Sequence, residues 1–100
     1  TLSAKEFQRR CEMHPIFRPI LDMAGVWFEC SDHVTFHDPL ATVCVFEDDV
    51  CKFAKGNVSV DVDSRMLKGY THFQQDENGC CEVAVDVNPE RFFDAFYSVF

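Results

Sequence analysis

The segment Thr35-Phe36-His37-Asp38-Pro39-Leu40-Ala41 gathers side chains able to do chemistry within one turn of chain. A carboxylate there can hold a cation or cap a helix, and an imidazole with an ordinary pKa of about 6.5 can release a proton near neutrality. Asp-Pro marks a helix start, with Asp38 as the N-cap and Pro39 at the first helical position. His37 would then sit where free backbone N–H groups point outward. A plainer reading stands beside this one. Asp-Pro opens many helices, a preceding His needs no role, and on these residues alone the plainer reading is preferred. The other polar groups carry less. Glu47-Asp48-Asp49 reads as a solvated helix end, and Asp61 and Asp63 fall on the polar face of a candidate strand. His14 before Pro15 reads as structural or exposed, and His72 as solvent-facing. His33 lies in the loop leading to His37. Trp27 and Phe28 could stack on a planar ring, although their helical spacing favours core packing.

Six cysteines stand at positions 11, 30, 44, 51, 80 and 81. None forms a CxxC pair, which argues against zinc ribbons and fingers, and adjacent Cys80 and Cys81 would point to opposite faces of an extended strand. Reduced, mostly buried thiols acting as small hydrophobes are the preferred reading over a secreted disulfide framework.

The elements that must position these residues follow from periodicity. Ser3-Ala4-Lys5-Glu6 is a capping-box pattern opening a helix over 4–11. Ile16, Phe17, Ile20, Leu21, Ala24, Trp27 and Phe28 predict a second helix over 15–29, and Asp38-Pro39 a third over 39–47. Beyond Asp49 the apolar period shortens from about 3.6 to about 2. Strands are predicted over 57–63, 66–74 (interrupted by Gly69, a bulge or close backbone contact) and 81–87. Asn88-Pro89-Glu90 caps a last helix over 89–99, with Phe92, Phe93, Phe96, Tyr97 and Phe100 as an aromatic stripe. The predicted class is α/β, or α+β for an isolated piece: helices, a short mixed sheet and a terminal helix. The 81–87 strand and the aromatic helix look built to pack on more structure than the chain offers.

Composition sets the outer limits. One hundred residues hold one small domain or part of a larger one, and eleven Phe must be covered by the chain or by a partner. A net charge of −8 with no basic stripe argues against a nucleic-acid partner. Apolar runs are too short to span a membrane, and the start TLSAKEFQRR is not a signal peptide. A cytoplasmic chain is expected.

Phe36-His37-Asp38-Pro39-Leu40-Ala41 resembles the C-terminal HDPLA signature of the inosine–uridine nucleoside hydrolase family. Leu2-Ser3-Ala4-Lys5-Glu6 is similar to that family's LT-x-E helix start, and Trp27-Phe28 lies where an aromatic pair precedes the signature. Leu67-Lys68-Gly69-Tyr70-Thr71 resembles its TRGxT strand, and Val83 to Phe92 its closing V-A-x-x-V-D-x-x-x-F segment. These matches cover nearly all of the chain, in the family's order. The resemblance implies a single incomplete domain over 1–100, the C-terminal portion of an open α/β fold. The family hydrolyses the N-glycosidic bond of purine or pyrimidine nucleosides, with a calcium ion that polarises the attacking water and holds the ribose hydroxyls. Carried over, Asp38 would be a metal ligand and His37 the catalytic group that protonates the departing base. His33, Phe28 and Trp27 would be substrate-binding residues.

One departure is as informative as the matches. The family's N-terminal DxDPGxDD motif, which supplies most of the calcium carboxylates, has no counterpart here, and neither do its central substrate-binding Asn and Glu segments. Calcium and nucleoside are therefore expected in the complete enzyme and not on this chain alone, which should be inactive. A homo-oligomer, or the remainder of a longer chain, is the expected partner. The alternative function is a stand-alone α+β interaction module whose aromatic helix docks on a partner.

Overall fold

Helix α1 (Ala4–Cys11) begins because Ser3 Oγ accepts the Glu6 N–H at 3.3 Å, satisfying a free donor of the first turn. Only that half of the capping box forms. The Glu6 carboxylate turns instead to the guanidinium groups of Arg9 (2.6 and 2.8 Å) and Arg10 (2.8 Å), stronger partners than a backbone amide. Their hydrogen bonds hold its carboxyl down to about 2. The computed structural model describes all of residues 1–100.

The second predicted helix divides. Residues Pro15–Phe17 form a 3-10 turn and α2 spans Arg18–Trp27. Pro19 has no N–H to give to the Pro15 carbonyl, so Arg18 donates to it instead, and the turn tightens from four residues to three. A pair of two-residue strands, β1 (Leu2–Ser3) and β2 (His33–Val34), ties the start of α1 to the chain leaving α2. Nothing in the residue pattern announced them.

Helix α3 runs over His37–Val43, two residues earlier than the sequence predicts at its start and shorter at its end. Asp38 is not its N-cap. Phe36 holds that position without a side-chain bond, and its carbonyl accepts the Leu40 N–H at 3.2 Å. Beyond Val43 the chain continues only as turns to Glu47. Helix α4 (Pro89–Tyr97) starts where Asn88 Oδ1 accepts the Arg91 N–H at 3.1 Å.

The sheet is antiparallel throughout rather than mixed, with β3 (Cys51–Val60) between β4 (Thr71–Gln75) and β5 (Cys81–Val87). Strand β3 begins six residues before its predicted start, because its first half pairs with β5 despite lacking an apolar alternation. Val85 is the extra residue of a bulge between the Lys52–Asp86 and Phe53–Ala84 pairs. Predicted strand 66–74 survives only in β4. Asp61 Oδ1 accepts the N–H groups of Asp63 and Ser64, and Ser64 Oγ those of Met66 and Leu67, so residues 61–70 close into a loop. Gly69 sits in that loop with φ +89°, a left-handed conformation, and is not a strand interruption.

The close backbone approach falls on a different glycine. A Cβ on Gly56 would lie 2.3 Å from the Gln74 carbonyl oxygen and 2.5 Å from the Phe73 ring. Gly56→Ala is expected to cost ~1–3 kcal/mol by overpacking the centre of the sheet. Urea denaturation would check this, and an unchanged midpoint would refute it.

Eight buried apolar residues form the core: Leu2, Phe7, Cys11, Phe17, Val50, Cys51, Phe92 and Phe93. The aromatic stripe of α4 therefore packs largely inside the chain, against Phe36 and Phe17, rather than waiting for missing structure. Arg10 lies over the rings of Phe93 and Tyr97, at 5.0 and 5.6 Å, and joins α1 to α4. The sheet is left outside this body. Its Ala54–Gly56–Val58–Val60 face, with Val83, Cys81 and Phe73 across the strands, carries no helix over it, and Val58 and Val60 are 40% and 52% exposed. The result is an α+β chain measuring 46 × 34 × 17 Å. No helix is long and apolar enough to cross a membrane.

Candidate functional site

Phe36 fixes the geometry of the segment that carries His37 and Asp38. Its ring meets those of Phe7, Phe92, Phe93 and Phe96 at centroid distances of 6.1, 5.9, 5.3 and 5.7 Å, mostly edge to face. The chain is pinned at this residue and then turns outward. His37 and Asp38 are both exposed, one after the other in the first turn of α3. An acidic side chain in that turn suits the positive end of the peptide dipoles. Thr42 Oγ1 donates to the Asp38 carbonyl at 3.0 Å, which holds the turn from below.

The two side chains open onto different depressions. His37 lines one of about 210 Å³, with Thr35, Leu40, Val87 and Phe92 among its walls. Asp38 lines another of about 480 Å³, walled by Val43, Phe46, Phe96 and Val99. Adjacency in sequence thus places them on one helix start without turning them into one cavity.

The other three expected site residues lie around the end of α2. Trp27 is 55% exposed, so it is not the core residue that its spacing suggested. Its Nε1 donates to the His33 carbonyl at 2.9 Å, which brings Trp27 and His33 together at the surface. The His33 ring lies 2.8 Å from Asp32 Oδ1, and that hydrogen bond is the main reason the Asp32 carboxyl falls below its usual range. Phe28 is half-buried against Phe7 at 5.8 Å and helps line a groove with Gln8, Arg18 and Leu21. The chain from Trp27 to His37 therefore keeps Trp27, His33 and His37 exposed, with half-buried Val34 and Phe36 between the two histidines.

The acidic clusters have structural partners. Glu47 and Asp49 are not simply a solvated helix end: both pair with Arg91 of α4, Asp49 Oδ2 at 2.8 Å. That hydrogen bond draws the Asp49 carboxyl below its usual range. Asp61 is half-buried and spends its carboxylate on the 61–70 loop, so it does not project from a strand face as its position in the sequence implied. His72 does project from the polar face of β4 and is exposed.

No protein-family model, curated protein or solved structure matches this chain. The residues themselves must decide what the site can hold. Asp38 stands without a second carboxylate in any group of three potential metal ligands. Calcium takes about six to eight oxygens, and one carboxylate supplies at most two of them. The donors present do not by themselves fit that ion. What the arrangement offers is an exposed imidazole and an exposed carboxylate on a rigidly anchored turn.

Proposed function

We propose that this chain is the C-terminal portion of a nucleoside hydrolase, contributing His37 and Asp38 to a site whose remaining groups lie outside these 100 residues. The observation that carries the reading is the anchoring of Phe36 by four rings while the next two side chains stay free at the surface. Glu6, Arg10, Glu47, Asp49 and Arg91 of the body are tied into ion pairs; His37 and Asp38, like Lys5, Asp48, Glu90 and Asp94, are not. A turn held this firmly presents its side chains at a fixed angle, as a shared active site requires. In the complete enzyme His37 would donate a proton to the leaving base, an imidazole's ordinary task near neutrality. Asp38 would supply one oxygen ligand to a calcium ion, whose chemistry when bound is to polarise water and hold the ribose hydroxyls. Trp27, Phe28 and His33 would border the base. The substrate is then a purine or pyrimidine nucleoside, the products are ribose and free base, and the compartment is the cytoplasm.

The 100-residue chain is expected to leave inosine and uridine unhydrolysed, with or without added calcium. A longer native chain containing it should release ribose and lose roughly 100-fold or more of kcat on His37→Ala. Both are read by reducing-sugar release. An intact mass of the native protein no larger than this chain, or turnover by the chain that survives purification, would overturn the reading.

A second reading is supported by the packing of α4. Because Phe92 and Phe93 are already buried, the helical body can stand as an α+β interaction module that presents its apolar sheet face to a partner. The same mass measurement separates the two.

A further inference from the structure

Cys44 and Cys51 meet where α3 gives way to β3. Their sulfurs are 3.4 Å apart, seven positions apart in sequence, with Cys44 half-buried and Cys51 buried beside Val50. Neither takes part in the candidate site. The turns from Val43 to Glu47 and the Arg91 pairs to Glu47 and Asp49 hold the connecting loop so that the two thiols face each other. Two sulfurs this close, on backbone already fixed at both ends, need only a small movement to reach bonding distance, which is about 2 Å. The remaining cysteines are placed differently. Cys11 bonds the Tyr97 hydroxyl at 3.9 Å, and exposed Cys30 bonds the Trp27 carbonyl at 3.2 Å. Cys80 and Cys81 approach at 3.7 Å but are neighbours in the chain, where closing a ring would force the geometry of the peptide between them.

We propose that Cys44 and Cys51 are an oxidation site, a dithiol that a small peroxide converts to an intramolecular disulfide. Cys44 is the sulfur a peroxide reaches first, being the more accessible. The Cys44 thiol gives up its proton, its sulfur attacks one peroxide oxygen and the O–O bond breaks; the hydroxide that leaves takes up that proton, so the products are a sulfenic acid on Cys44 and one water. The Cys51 sulfur then attacks the Cys44 sulfur and forms the S–S bond. The hydroxide that leaves takes the Cys51 proton and becomes a second water. Two thiols lose two electrons and one peroxide gains them. Burial pushes the Cys51 thiol up to about 11, which disfavours its thiolate and leaves Cys44 as the sulfur that meets the peroxide. The closed bond would tether the end of the helix that starts at His37 and Asp38 to the first residue of the central strand. This site stands independently of the nucleoside hydrolase reading.

The test treats the 100-residue chain with one equivalent of hydrogen peroxide, blocks free thiols and digests with a glutamate-specific protease. Cleavage after Glu29, Glu47 and Glu77 puts Cys44 on peptide 30–47, with Cys30, and Cys51 alone on peptide 48–77, so a bond joins the two peptides and fragmentation of the joined pair shows whether Cys44 or Cys30 carries it. The expected result is a monomer lighter by about 2 Da whose linked peptides contain Cys44 and Cys51, formed at least about tenfold faster than any other pair and reversed by a thiol reductant. The oxidised form should melt several degrees higher than the reduced form. Repeating the reaction in denaturant should abolish the selectivity, which assigns it to the fold without relying on a variant. Cys44→Ala should remove the fast reaction. The proposal is overturned if the linked peptides join other cysteines, if Cys44 and Cys51 stay reduced while the chain is oxidised elsewhere, or if denaturant leaves the preference unchanged.

Discussion

Phe36→Ala should unfold the helical body of this chain or leave it marginal. The ring is shared by α1 through Phe7 and by α4 through Phe92, Phe93 and Phe96, so its removal strips contacts from both helices at once. Loss of a fully buried phenylalanine costs ~3–5 kcal/mol, and half-buried Phe36, which packs against the core, should cost toward the low end of that range. Whole domains are stable by only ~5–15 kcal/mol. Only eight apolar residues are buried here, which places this chain near the bottom of that range. Far-UV circular dichroism should show lost helix or a denaturation midpoint reduced by about half or more. Phe36→Leu, which refills most of the volume, should recover the larger part of the loss. A Phe36→Ala cost under about 1 kcal/mol would mean that the aromatic cluster is not the keystone described above. Because His37 follows directly, the same variant in a longer, active chain should also lose activity through misplacement of that turn.

The legibility of this structure in its sequence varied with the physical origin of each element. Helices α1 and α4 were readable because local chemistry determines them: Ser3 and Asn88 cap them, and their apolar residues recur at helical spacing. Strand β5 was readable from its alternation and matches its predicted bounds. The first half of β3 was not, since Lys52, Phe53 and Lys55 are in a strand because β5 lies beside them. Pairing partners distant in sequence leave no local trace. The Gly69 reading failed for a related reason: the crowded glycines are Gly56 and Gly79, and only the folded register brings them back to back.

The helix carrying His37 and Asp38 shows the same limit at the candidate site. Asp38-Pro39 is a good local start signal, but the tertiary anchoring of Phe36 starts the helix earlier, and Asp38 moves from the cap into the first turn. The exposure of Trp27 was likewise hidden, because helical spacing reports which residues share a face and not whether that face is covered. Its neighbours Ile16, Ile20 and Met23 are exposed as well. The role of Arg91 as the partner of Glu47 and Asp49 had no sequence signal, with more than 40 residues between them.

The isolated chain should self-associate through the open face of its sheet, and Val58→Glu should return it to a monomer. The accessible surface is 7833 Å², whereas a folded monomer of this mass exposes roughly 5,800 Å². The radius of gyration, 17.3 Å, likewise exceeds the ~13 Å of a 100-residue domain. The excess of roughly 2,000 Å² is more than the ~800 Å² each partner contributes to a standard interface. Antiparallel sheets normally bury their apolar face. Here Ala54, Val58, Val60, Phe73, Cys81 and Val83 line that face, with uncharged Thr71 and Gln75 along β4 and the Lys52–Asp86 ion pair only at its far end. Two copies can therefore meet there despite the net charge of −8 each. In a longer native chain the remainder of the fold would cover the same surface. The aromatic helix, which the sequence suggested as the contact, is largely occupied within the chain: Phe92 is only 3% exposed. Sedimentation velocity on the unmodified chain should show dimers or larger species that bind an apolar dye. Val58→Glu places a carboxylate at the centre of the face, twice in a symmetric dimer, and should weaken association about 100-fold or more, or ~3 kcal/mol. Ser59→Glu adds the same charge one residue along the same strand, on the polar face with His72 opposite, and should leave association unchanged. If both variants dissociate alike, net charge and not this face governs assembly; if the unmodified chain is a dye-negative monomer, the sheet must be covered by a rearrangement within the chain.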